Sequence, residues 1–120
     1  MTRFFFIYLI LNSVFGLSQN GDIKKQEMEA DARLKAGNYE EALDDYQQLL
    51  TLDPKNENYN YSVGVCYLNS NINKAKAVPY LEIVTHKEKH NPNADFLLGR
   101  AYQYANRYDE AIASFNKFKE

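Results

Sequence analysis

Small side chains recur along this chain at a fixed interval, and that interval constrains the fold more than any other feature. Ala30, Gly64 and Gly99 stand 34 and 35 residues apart, while Ala42, Ala77 and Ala111 stand 35 and 34 apart. Two independent markers on one period signal stacked copies of a single supersecondary unit. The residue types fit a unit of two antiparallel helices. Where helices cross closely a bulky side chain would push them apart, so a Gly or Ala is expected at one side of the crossing and an Ala opposite. Tyr46, Tyr67, Leu81, Tyr102 and Phe115 supply the large apolar fill around it. Gly37 falls where a positive φ ends the first helix of a pair. Pro54 stops the second, because it cannot extend a helix.

The period predicts helices over 22–36, 39–52, 57–69, 74–88, 93–105 and 108–119. Pro79 lies inside the fourth, where it removes a backbone donor and either kinks the helix or delays its start. In the first helix Glu29 and Arg33 stand where large apolar residues are expected, a polar outer end for the array. One extra residue falls in the second turn, near Ile72-Asn73.

Leu52-Asp53-Pro54, Gly64 with Tyr67, Gly99-Arg100-Ala101-Tyr102 and Tyr108-Asp109-Glu110-Ala111 resemble the tetratricopeptide repeat. The resemblance covers roughly residues 23–120. It implies an all-α fold in which antiparallel helix pairs stack as a right-handed α-solenoid of about three units, 23–56, 57–91 and 92–120, the last incomplete. Leu52-Asp53-Pro54-Lys55-Asn56 through Tyr61-Ser62-Val63-Gly64, with Ala77-Val78-Pro79-Tyr80-Leu81, is also similar to the N-terminal module of certain cell-envelope proteins of Bacteroidota-like bacteria. In those proteins such repeats precede a β-propeller and a domain similar to outer membrane protein A.

The first residues differ in kind from the rest. Arg3 precedes an unbroken apolar run, Phe4 to Leu11, and Gly16-Leu17-Ser18 places small residues where a signal peptidase reads. This is the pattern of an export signal over 1–18, cut between Ser18 and Gln19, ahead of a repeat domain over 19–120. The apolar stretch is broken by Asn12 and Ser13, and is shorter than the roughly 20 residues a spanning helix needs. An uncleaved anchor is the alternative. The chain is therefore expected in the periplasm or cell envelope. Cys66 is the only cysteine, so no internal disulfide is available. Its apolar neighbours Val65 and Tyr67 mark a buried, inert thiol.

The chain holds 14 basic and 16 acidic residues, and only Arg3 precedes residue 19, so the rest carries a net charge of −3. With no basic stripe to displace phosphate counterions, a nucleic-acid partner is not expected. His86 and His90 are four apart, but Lys87 stands where a zincin motif has Glu, and no third ligand follows. No glycine-rich phosphate loop or activated nucleophile is present. No enzyme activity, cofactor, metal or small-molecule substrate is expected.

The resemblance implies a concave face lined by the first helix of each unit, where a protein or peptide ligand lies. In repeat register that face takes Asp31, Leu34 and Lys35 from unit one. Tyr61, Val65, Leu68 and Asn69 follow from unit two, and Phe96, Arg100, Gln103 and Tyr104 from unit three. Tyr61, Phe96 and Tyr104 offer large contact area at low entropy cost. Asn69 and Arg100 are suited to a peptide backbone or carboxylate. The Lys, Asn and Arg set with which chaperone-binding members clamp a C-terminal carboxylate is not reproduced. The expected function is a protein-binding scaffold with envelope-complex subunits as possible partners; the alternative is a structural spacer, or a piece of a larger protein anchored to peptidoglycan or a secretion complex. Ile112, Phe115 and Phe118 on the last helix are expected to leave an apolar face.

Overall fold

The computed structural model describes residues 20–120. The export signal and its cleavage point, Ser18–Gln19, lie outside the described residues. Helix α1 covers 20–35. It is followed by α2 (Tyr39–Leu52), α3 (Glu57–Asn69), α4 (Ala77–His86), α5 (Asn93–Tyr104) and α6 (Tyr108–Lys119). Among the described residues there is no strand. Three antiparallel pairs, α1/α2, α3/α4 and α5/α6, stack into an all-α solenoid of helix-pair repeats.

The crossings show why the small residues recur. A Cβ on Gly64 would lie 2.6 Å from Leu81, and one on Gly99 would lie 2.6 Å from the Phe115 ring. The glycines therefore make room for a large side chain of the second helix; the nearest atoms across the crossing belong to Leu81 and Phe115, not to the alanines. Ala42, Ala77 and Ala111 are buried beside them. Unit one carries Ala30 at the equivalent place, and Tyr46 at the position of Leu81 and Phe115.

The turns within the first and third pairs are built alike. Gly37 has φ +81° and Asn106 has φ +59°, the left-handed conformation that ends a helix. In each turn the next amide reaches back five residues, from Asn38 to the Arg33 carbonyl (2.9 Å) and from Arg107 to the Tyr102 carbonyl (2.9 Å). The middle unit departs because of its extra residue. Ser70 is extended, and the Lys74 ammonium donates to the Leu68 and Ser70 carbonyls at 3.0 and 2.8 Å, satisfying the end of α3. A 3-10 turn, Lys74–Lys76, then leads into α4. The expected helix over 74–88 is thus shorter, Ala77–His86. Pro79 falls in its first turn, where a missing N–H costs no intrahelical bond.

Links between units are tied down by a buried polar residue at one repeat position. Asn60 donates to the Pro54 and Asn56 carbonyls at 3.0 and 2.8 Å. Thirty-five residues later, buried Asp95 bonds His90 Nε2 at 2.8 Å. His90 Nδ1 sits 2.5 Å from the Lys87 carbonyl. His90 lies in the α4–α5 link and not on a helix, so it does not share a helical face with His86. In unit one the polar positions are also used: Arg33 bonds Asp45 on α2 and lies 3.8 Å from Glu41.

Candidate functional site

The first helices α1, α3 and α5 lie side by side, and residues at one repeat position form rows across them. One row is Glu27, Tyr61 and Phe96; the next is Asp31, Val65 and Arg100; the third is Lys35, Asn69 and Tyr104. Positions four apart on a helix share a face. The rows are tied together by contacts between neighbouring helices. Asn93 on α5 donates to the Tyr61 hydroxyl at 2.8 Å, and the Tyr59 hydroxyl on α3 donates to Glu27 on α1.

A cleft of about 410 Å³ opens between α1 and α3, lined by Glu27, Asp31, Lys35, Tyr59, Tyr61 and Ser62 among others. Its acidic groups are fixed from below. The buried Tyr46 hydroxyl donates to Asp31 at 2.5 Å, as Tyr59 does to Glu27. Burial, and after it these carboxylates, raises both phenol pKa values, that of Tyr59 to about 12. Both phenols therefore keep their protons and act as permanent donors. A carboxylate that accepts one such bond retains lone pairs for a ligand.

Most of the residues expected on this face are accessible. Tyr61, Val65 and Arg100 are half-buried, and Asp31, Lys35, Asn69 and Gln103 are exposed. Leu34 is half-buried against the core. Asn69 donates to the Val65 carbonyl of its own helix at 2.8 Å. Tyr104, 49 % exposed, carries the Lys74 ammonium 5.7 Å from its ring centre. Phe96, 37 % exposed, turns toward α6, with ring centres 5.8 Å from Phe115 and 5.4 Å from Phe118. Leu68 is a correction. It is 1 % exposed and belongs to the core, so it presents no surface to a ligand.

Glu27, Tyr59 and Ser62 were not expected in the cleft. Glu27 was within reach of the repeat register, since it precedes Tyr61 by 34 residues and Phe96 by 69. Tyr59 and Ser62 flank the row on α3, and their contribution depends on how closely α1 approaches.

Elsewhere the polar groups are structural. Every buried side-chain nitrogen or oxygen among the described residues has a hydrogen-bond partner. No group of three or more His, Cys, Asp or Glu is placed to hold a metal among them. Cys66 is free and buried, and burial pushes its thiol up to about 12, which keeps it protonated. Burial alone would lower the His90 pKa. Its bonds to Asp95 and the Lys87 carbonyl, with the Asp95 charge, outweigh burial and hold it above the ordinary value. No described helix is long and apolar enough to cross a membrane.

Residues 30–71 match a family model described as TPR repeat, and residues 70–120 match one described as Tetratricopeptide repeat. Together the two matches run from Ala30 to Glu120. No curated protein matches the chain.

Proposed function

The chain belongs to the tetratricopeptide-repeat family, and from that premise we propose that it is a non-catalytic scaffold that holds a partner protein or peptide across α1, α3 and α5. Repeats of this family generally mediate protein–protein interaction. The observation that carries the reading is the set of three rows across α1, α3 and α5, in which exposed charge stands beside half-buried Tyr61 and Val65, with the α1–α3 cleft at one end. A peptide laid there meets apolar contact at Tyr61 and Val65 and polar contact on either side, the mixture found at binding surfaces.

The test is capture of partners from the native cell envelope by the immobilised chain, compared with Tyr61→Ala/Val65→Asp. Both side chains pack in part against the core, so the comparison is made with variant protein whose far-UV circular dichroism matches the wild type. The expected outcome is loss of the captured proteins by the variant alone. Equal capture would remove the groove reading.

The cell-envelope setting rests on Arg3, the Phe4–Leu11 run and Gly16-Leu17-Ser18. N-terminal sequencing of protein from the envelope fraction should read Gln19 first. An intact Met1 in soluble cytoplasmic protein would overturn it. The resemblance to modules that precede a β-propeller belongs to the same proposal. A second reading, a spacer that positions other domains, draws on the exposed apolar side chains of α6, Tyr108, Ile112 and Phe118. Under that reading the α1–α3 cleft variant binds as the wild type does.

A further inference from the structure

The middle row across the three first helices changes charge as it crosses them. Asp31 on α1 is followed by Val65 on α3 and Arg100 on α5. Glu27 adds to the negative end, and the Lys74 ammonium over the Tyr104 ring adds to the positive one. Arg100 forms no salt bridge among the described residues, nor do Glu27 and Asp31. Their charges are therefore not cancelled by ion pairing. Lys35 stands one helical turn from Asp31, in the row of Asn69 and Tyr104, and leaves the middle row acid at one end and base at the other.

From this charge order, and resting on the groove reading above, we infer that the occupant is an extended peptide segment carrying a cationic side chain over Glu27 and Asp31, an apolar side chain over Tyr61 and Val65, and a carboxylate over Arg100. The acceptors are pre-positioned, because the buried hydroxyls of Tyr59 and Tyr46 hold the two carboxylates in place before any ligand arrives. Neighbouring packed helices lie about 8–10 Å apart, so Asp31 and Arg100 are separated by two such steps, about 16–20 Å. An extended chain advances about 3.3 Å per residue, which sets the two ligand charges roughly five or six residues apart. Either chain direction satisfies this order, since the charges fix which end lies on which helix and not the sense of the backbone.

Three blocked seven-residue peptides with a central Leu and Ala spacers test it: Lys first and Glu last, Lys at both ends, and Glu at both ends. Binding to the full chain is measured by calorimetry at low and high salt. Two solvent-facing ion pairs are each weak, so the mixed peptide is expected to bind roughly fivefold tighter than either other at low salt, with the advantage shrinking as salt screens it. Arg100→Glu should make the two-Lys peptide the best ligand. Glu27→Gln/Asp31→Asn, which keeps an oxygen for each tyrosine, should remove the penalty on the two-Glu peptide. Far-UV circular dichroism checks that both variants stay folded. Equal affinity for all three peptides, or a preference that Arg100→Glu leaves unchanged, overturns the charge order while the groove reading stands. Binding of none overturns both.

Discussion

The second helix of each unit carries the same apolar pattern and meets three different fates. Leu43 on α2 and Val78 on α4 are each 4 % exposed, whereas Ile112, at the same repeat position on α6, is 58 % exposed. Leu49 and Val84 are fully buried where Phe118 is exposed. Nothing in the residue types distinguishes the three helices. The difference is the neighbour: a following first helix lies over α2 and α4, and among the described residues none lies over α6. The first helices behave in the opposite way. Tyr59, Val63 and Cys66 on α3, and Ala94, Leu98 and Ala101 on α5, are buried at positions where α1 carries exposed Lys25, Glu29 and Ala32. One face is polar by sequence; the other is apolar by sequence and exposed by position. In a quasi-one-dimensional array, residue type records the place in the unit, and burial records what stacks on it.

The widest gap should appear on truncating equivalent residues. Leu43→Ala removes a packed side chain and is expected to cost roughly 2–5 kcal/mol, while Ile112→Ala, at the surface, should fall within about 0.5 kcal/mol. Urea titration of both variants measures it. Similar losses would mean that the α6 face is covered in solution.

A smaller effect is expected at the crossing. Ala111 is buried and Ala113, two residues on, is exposed. Ala111→Leu should therefore cost roughly 1–3 kcal/mol by overpacking, and Ala113→Leu close to nothing. Equal thermal midpoints would place α6 in a different rotation about its axis. Such an outcome would also move Ile112, and with it the contrast between α6 and the inner helices.

The link between units two and three adds a pH dependence that the link between units one and two lacks. His90 bonds Asp95 at 2.8 Å, while the corresponding Asn60 does not titrate. The folded pKa of His90 is raised. Its protonated form therefore contributes stability that is fully present below the unfolded value of about 6.5, and is lost as pH rises through the folded pKa. The thermal midpoint should fall between pH 6 and pH 8. A hydrogen bond to a charged group is worth roughly 1.5–3 kcal/mol at most, and Lys117, whose charge opposes protonation, reduces this one. His90→Gln should flatten the profile; an unchanged slope would assign the titration elsewhere.

The solenoid was legible because its markers are local and repeat. Ala30, Gly64, Gly99 and the three alanines fix the period, and the period fixes the helix pairs to within a few residues. What escaped were contacts between residues with no periodic signature. Lys74 caps α3 only because the extra residue of the second turn brings it there, and the bond between His90 and Asp95 joins a link residue to a helix with no repeat spacing to announce it. On the groove face, the register placed Tyr61, Val65 and Arg100 on accessible positions but also admitted Leu68. A heptad-like row names a helical stripe, and the neighbouring helix decides which edge of that stripe is buried.

The smallest effect is expected where local geometry alone repeats. Gly37 and Asn106 occupy the same left-handed place in the first and third turns, and each turn closes with the same five-residue backbone bond. Asn106→Gly relieves the modest strain that Asn carries in this conformation. It also loses the 2.9 Å bond from the Tyr108 hydroxyl and frees the unfolded chain. These opposing contributions, at an exposed site, should leave stability within about 0.5 kcal/mol. Asn106→Val puts a β-branched side chain at positive φ and should cost roughly 1–2 kcal/mol, because its second γ carbon crowds the backbone and it lacks the polar group with which Asn tolerates this conformation. Thermal denaturation of the two variants side by side distinguishes them. If Asn106→Gly lowered stability as much as Asn106→Val, the turn would depend on the Asn side chain rather than on backbone conformation. The two ends of the array would then differ in their turns as well as in their faces.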